Sequence, residues 1–494
     1  MSRRNRSSGK RASQVRRGSR TSDLLRNREN LAAYQEWFLG GEEIFAKLKF
    51  HGNTSWQPSR LVWLAVLWSW SERRHLTDAF MEAVEGCRKV FGNSPLNCYQ
   101  GFLQALGRWT SPFMAVLWPL VHARMQEIGG KFWRRGRWVP IAFDGSRSSA
   151  PRTEQNEQAF CAPNYGLGNT ARYRKKKTKG MRRKHNQKHP PQPQKPQAWI
   201  TLMWHMGLRL AWTWRLGPSS SSERAHVMDM LEAEEFPKDT LFCGDAGFVG
   251  YPLWSKILDC GGDFLVRVGA NVDLLTETAN CQFLKGGIVL CWPKAVQQAH
   301  RPPLRLRLVR TRIGLTRVWM LTSVLNSADL TVSQMVRFYK MRWGIEVEFR
   351  GLKQTLDRAK LRSHNPQRLL AELHWSIMAM TIAELFALKE QLARRGSRPA
   401  KNQPRPNPEK RSLAQTMRAI RKCLRNLDEV PTPGRDLAAL LRAAVTDSYQ
   451  RTTSKKARYR PPNPDKKPLG DPSLRALTTK ERKHLKKIAS KTAV

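Results

Sequence analysis

Residues Thr331–Leu356 run TVSQMVRFYKMRWGIEVEFRGLKQTL. The stretch reads as one long helix. At roughly 100° per residue, Tyr339, Arg342, Glu346, Arg350 and Lys353 fall within an arc of about 80°. Phe338, Ile345, Phe349, Leu352 and Leu356 form an apolar stripe directly beside that arc, and Glu348 points away from it. The helix therefore offers a face to bury and, next to it, one acid flanked by cations and a tyrosine. Arg342–Glu346 and Glu346–Arg350 are also ordinary i,i+4 ion pairs. That plainer reading leaves unexplained why Tyr339 and Lys353 share the stripe.

Upstream of this helix the texture alternates between short apolar runs and helical patterns. Val139–Phe143 reads as a strand ending at Asp144, followed by Gly145 and Ser146. Trp199–Met206 and Leu208–Leu216 read as a hairpin turning at Gly207, and Ser219–Ser222 offers a cap for a helix through Glu235. Leu241–Cys243 is a strand running into Gly244, Asp245, Ala246 and Gly247. A helix over Pro252–Leu258, a strand over Phe264–Val268, a region of short strands at about 270–318 and a strand over Val318–Leu321 come next. A second helix, Gln367–Leu388, follows the one at 331–356. The order predicts an α/β fold: a ribonuclease-H-like mixed sheet with flanking helices and a β-rich insertion.

Residues 26–135 carry helical patterns at 31–48, 60–70, 77–90, 99–106 and 112–128, so an all-α N-terminal domain precedes the sheet. Residues 1–25 read as a disordered basic arm. The domain that carries the sheet spans 136–390 and contains a Lys-, Arg-, Pro- and Gln-rich segment at 172–197, read either as a solvated linker or as a DNA-contacting arm. Residues 391–494 read as a basic linker, two short helices (411–427 and 435–447) and a tail.

The chain has 494 residues, 87 Lys and Arg against 39 Asp and Glu, and a net charge of +48. A compact protein of that charge repels itself unless a polyanion neutralises it, and nucleic acid is the usual one; basic tails on a neutral enzyme are the alternative. Its 8 cysteines, Cys87, Cys98, Cys161, Cys243, Cys260, Cys281, Cys291 and Cys423, contain no CxxC pair. That spacing gives neither a disulfide framework nor a zinc finger and fits a reducing cytoplasm. No apolar run approaches the length needed to span a bilayer, Leu61–Trp70 being too short, and no membrane association is expected.

Two aspartates just after strands, each beside small residues, can converge at a sheet edge with room for a ligand, although Asp-Gly is also an ordinary turn. With Glu346 they make three carboxylates suited to phosphoryl transfer assisted by two divalent ions, and oxygen ligands select Mg²⁺ or Mn²⁺. The spacing Tyr339-x2-Arg342-x3-Glu346-x6-Lys353 resembles the signature of the insertion-sequence-4 group of bacterial DDE transposases. Leu361-Arg362-Ser363-His364-Asn365-Pro366, Asp144-Gly145-Ser146 and Asp245-Ala246-Gly247-Phe248 add to the resemblance, which covers about 138–390.

The resemblance implies Asp144, Asp245 and Glu346 as catalytic metal ligands. It implies Tyr339, Arg342 and Lys353, together with Arg350 on the same stripe, as contacts near the DNA backbone. Trp319 is either a base-stacking residue or an ordinary core tryptophan. The activity implied is metal-dependent cleavage at transposon ends followed by strand transfer. The enzyme would work on double-stranded DNA as a homodimer bringing two ends together, in the cytoplasm and at the bacterial nucleoid. The N-terminal helical domain would recognise the ends. The alternative is a transposase-derived DNA-binding protein that no longer cuts.

Overall fold

The computed structural model describes residues 25–51, 54, 56–161, 195–276, 287–393, 407–446 and 470–492. The expected basic arm, nearly all of the 172–197 segment and most of the tail beyond 447 lie outside them. Four helices open the described chain: α1 (Asn27–Leu39), α2 (Pro58–Trp70), α3 (Leu76–Phe91) and α4 (Tyr99–Gly129). The sequence suggested a helix through residue 48, but α1 stops at Gly40, whose positive φ of 70° ends it. Conversely, two expected helices merge into the 31-residue α4, which carries Pro112 and Pro119 in its interior.

The sheet follows, with β1 (Val139–Ser149), α5 (Glu154–Phe160), β2 (Gln197–His205), β3 (Leu210–Gly217), α6 (Glu223–Ala233), β4 (Thr240–Gly244), α7 (Tyr251–Asp259) and β5 (Asp263–Val268). Strands β1, β4 and β5 run parallel, while β2 is antiparallel to β1 and β3 antiparallel to β2. The lateral order β3-β2-β1-β4-β5 is that of a ribonuclease-H-like sheet. The expected insertion does not form a separate body. Its strands β6 (Asp273–Thr276), β7 (Gly287–Cys291) and β8 (Leu304–Ile313) continue the same sheet through the strand expected after it, β9 (Thr316–Thr322), which pairs antiparallel with both β8 and β5. A short helix, α8 (Lys294–Gln298), sits within the insertion.

The 331–356 stretch is not one continuous α-helix. It forms α9 (Val332–Arg342), α10 (Gly344–Arg350) and a π-helical turn over Gly351–Thr355. Thr331 caps α9 by accepting from Gln334 N, and the Gln334 side chain answers on Thr331 N, a complete capping box. Helix α11 (Pro366–Leu392) is the core of the molecule. Among the described helices it alone is long and apolar enough to cross a membrane, yet 89% of its apolar window is buried inside the protein. Here the sequence reading that no run approaches that length is corrected.

What covers α11 is the N-terminal helical layer. Trp70 donates to the Ala379 carbonyl at 2.8 Å and Trp375 donates to Thr110 Oγ1 at 2.9 Å. Phe386 is ringed by Tyr34, Trp37, Phe38, Trp63 and Trp70. The helical layer and the sheet thus share one hydrophobic core. Beyond α11 come α12 (Leu413–Arg425), α13 (Leu437–Arg442), β10 (Ser473–Ala476) and α14 (Thr479–Thr492). Strand β10 pairs parallel with β6, giving the C-terminal segment a sheet position that its basic composition concealed.

Candidate active site

Hydrogen-bond register places the first two acids. Strands β1 and β4 pair in parallel up to Ala142 opposite Cys243. Asp144 and Asp245 each lie two residues beyond that last pair, side by side where the β1–β4 pairing ends and, by alternation, on the same face. Strand β1 does not end at Asp144, as the sequence suggested, but continues to Ser149 against β2, with Asp144 opposite Leu202. Asp144 therefore sits in mid-strand, at the point where its other neighbour stops. That leaves one side of it open. Gly244, just before Asp245, is required by packing: a Cβ there would come 2.5 Å from the Phe143 ring.

The third acid arrives on α10. Arg342, at the end of α9, reaches Asp144 Oδ2 with Nη1 at 3.4 Å and Glu346 Oε1 with Nη2 at 3.9 Å. Its side chain is only 4% exposed, whereas that of Glu346 is 42% exposed. Lys353 donates to Ser146 Oγ at 2.7 Å, two residues beyond Asp144. Ser149 N donates to the Ala359 carbonyl and Leu361 N to the Ser149 carbonyl, so the chain leaving the π-turn is stitched to the end of β1. The helix carrying Glu346 is thereby fastened to the strand carrying Asp144 at three levels.

The segment Leu361–Pro366 proves to be a clamp. Asn365 caps α11 by accepting from Gln367 N and Arg368 N, and Pro366 takes the first helical position. Fully buried Glu372 accepts from Arg362 N, Ser363 N and Ser363 Oγ, and lies 3.7 Å from buried Arg358. Those contacts fix the exit of the glutamate helix onto the core.

Charge at the site is negative and confined. Burial pushes the Asp144 carboxyl above its usual range, and nearby Asp245 and Glu346 add to the rise; the Gly145 amide and Arg342 oppose it. Asp245 accepts from Gly247 N at 2.7 Å, which leaves its second oxygen for a ligand. Burial also pulls the Lys353 amine below its usual range.

Among the described residues no three acidic, histidine or cysteine side chains already grip a common point. Instead the Arg342 guanidinium lies between two of the acids. An all-oxygen donor set that raises a carboxyl's pKa by mutual repulsion fits divalent cations, which would supply the charge that Arg342 supplies only in part.

The remaining residues of the stripe divide by burial. Tyr339 is buried beneath the Arg342 guanidinium, 5.5 Å from its ring, while Arg350 is exposed to solvent. Trp319, on β9 opposite Val268, is half-buried; its indole donates to Asp471 Oδ1 at 2.6 Å and has Arg310 over its ring. Sequence reasoning gave no weight to Trp343, which is exposed next to Arg342. A large aromatic side chain inside the signature spacing was the available signal.

Residues 141–382 match the family model of the transposase DDE domain. That match takes in all three acids and the clamp. No curated protein matches the chain. A solved structure of the piggyBac transposase in a synaptic complex with hairpin DNA is similar at a TM-score of 0.40 and 14% identity, over 85% of this chain and 86% of that one. Enzymes with this domain act on DNA and generally use divalent metal ions. Residues 141–382 are a transposase DDE domain, and the chain is a DDE transposase.

Proposed function

We propose that this transposase cuts DNA at the ends of its element and joins them to a target with Asp144, Asp245 and Glu346 as the carboxylate ligands of two Mg²⁺ or Mn²⁺ ions. The single observation that supports the assignment is the Arg342 bridge, which ties Asp144 to Glu346 beside the strand end that carries Asp245. Bound there, divalent cations would activate water or a 3′-hydroxyl and stabilise the leaving oxygen. The protein's own part is positioning. Register holds the two aspartates side by side, the π-turn and Lys353 hold the glutamate helix against β1, and Arg342 limits repulsion among the acids before DNA arrives.

The exposed guanidinium of Arg350 and the amine of Lys353 are the backbone phosphate contacts on this face. Buried Tyr339 and Arg342 serve DNA through the acids they support. Trp319 is a base-stacking surface only after its bond to Asp471 opens. The N-terminal helical layer recognises the ends, and two copies hold a pair of ends together. Membership of the insertion-sequence-4 group, and action at a bacterial nucleoid in the cytoplasm, complete this reading.

The test is an in vitro assay on duplexes carrying the inverted repeats that flank the gene. Strand nicking at the repeat boundary that needs Mg²⁺ or Mn²⁺ supports the proposal. Tight, specific binding with no nicking under any divalent ion would favour a DNA-binding protein that has lost cleavage.

A further inference from the structure

A fourth acid stands at the same sheet edge. Ser222 caps α6 by accepting from Ala225 N at 3.4 Å, which fixes Glu223 as the first residue of the helix. From there its side chain lies across Gly145, the residue after Asp144 in β1. A methyl group added at Gly145 would fall 2.6 Å from both Cγ and Cδ of Glu223, so a side chain there would push Glu223 out of its present position. Glu223 makes no hydrogen bond or ion pair among the described residues. The charged groups that bear on it are Asp144, Asp245 and Arg147. Arg147 is drawn aside, with its guanidinium stacked 4.0 Å from the Trp199 ring.

The plain reading of such a residue is an acid favoured by the helix N-terminus, and that setting holds a carboxyl below its usual pKa. The charges nearest Glu223 include two further acids, Asp144 and Asp245, at the same sheet edge. A helix-capping role also gives no reason for the side chain to lie over the bare backbone of β1. Before DNA phosphate arrives, two divalent ions would bring four positive charges, and three carboxylates leave that charge unbalanced. A fourth carboxylate, approaching from α6 while Glu346 approaches from α10, balances it.

We propose that Glu223 is a fourth carboxylate ligand of the cation site, joining Asp144 and Asp245 across Gly145. This rests on the metal assignment given under Proposed function. It is tested without DNA or activity, by titrating the full-length protein with Mn²⁺ and following the free ion by electron paramagnetic resonance.

Glu223→Gln should weaken binding of one Mn²⁺ about tenfold or more. It should also leave the melting temperature of the metal-free protein unchanged or higher, since a repelling charge is gone. An unaltered Mn²⁺ isotherm in Glu223→Gln, with binding lost in Asp144→Asn, overturns Glu223 as a ligand and leaves the aspartate site standing. Unaltered binding in Asp144→Asn and Asp245→Asn as well would sink the metal assignment itself. A fall in the metal-free melting temperature of Glu223→Gln would make the residue structural and also overturn the proposal.

Discussion

Arg342 holds its guanidinium 3.4 Å from Asp144 and 3.9 Å from Glu346 while only 4% of its side chain meets solvent. Removing it leaves Asp144, itself largely buried, facing two other acids with no counter-charge. For a fully buried pair that loss runs to several kcal/mol; the exposure of Glu346 lowers the expectation to about 1–3 kcal/mol. Arg342→Ala should therefore unfold at lower urea concentration without metal, and millimolar Mg²⁺ should recover part of the deficit. Equal stability of variant and parent in metal-free buffer would show that the bridge contributes nothing. The residue types at this site were readable from sequence because the four signature positions share one helical face. The burial of Arg342 was not, since pattern alone cannot tell a cation that meets phosphate from one that neutralises acids.

Among the elements, the junction of α9 and α10 sets where Glu346 lies. Gly344 packs against the six-membered ring of Trp204 on β2, and an added Cβ would sit 2.7 Å from Cζ3. Two effects oppose each other in Gly344→Ala. Helix propensity favours alanine by about 1 kcal/mol, while overpacking a rigid indole costs about 1–3 kcal/mol. The steric effect should win, so the variant should melt lower and nick more slowly, because α10 carries Glu346 two residues on. A higher melting temperature with normal nicking would show that Trp204 yields. The same junction explains what the sequence missed. A uniform 100° rotation predicted one helix from 331 to 356, but the chain forms α9, α10 and a π-turn, with Gly344 at the first break lying against Trp204. Tertiary packing likewise drew the insertion strands into the main sheet, because only the partner strand β5, and no local pattern, tells β9 where to pair.

For the molecule as a whole, the helical layer meets the β2–β3 hairpin along a seam of three histidines, His205 fully buried and His122 and His374 partly buried. His122 donates to the Trp212 carbonyl at 2.8 Å, His374 accepts from Trp214 Nε1 at 3.0 Å, and His205 accepts from Leu208 N while its other nitrogen faces the Trp133 carbonyl. Burial pulls them down to about 4, about 4 and about 3 respectively. Their folded pKa values lie below the unfolded value of about 6.5, so the unfolded chain takes up protons first. Their contribution is intact above about pH 6.5 and is lost as pH falls below it, by about 2 kcal/mol per histidine at pH 5. Melting temperature should drop between pH 7 and pH 5, and His374→Gln should flatten that drop by about one proton. A profile indifferent to pH over that range would contradict the seam.

The account as a whole stands on carboxylates from β1, β4 and α10 acting as one cation-binding unit on DNA. The most direct measurement compares parent, Asp144→Asn, Asp245→Asn and Glu346→Gln for end binding and for Mg²⁺-dependent nicking of the same labelled duplex. The account predicts binding within a few-fold of the parent and nicking reduced by about 10³-fold or more in each variant. Near-normal nicking by any one of the three would remove that residue from the chemistry and contradict the account.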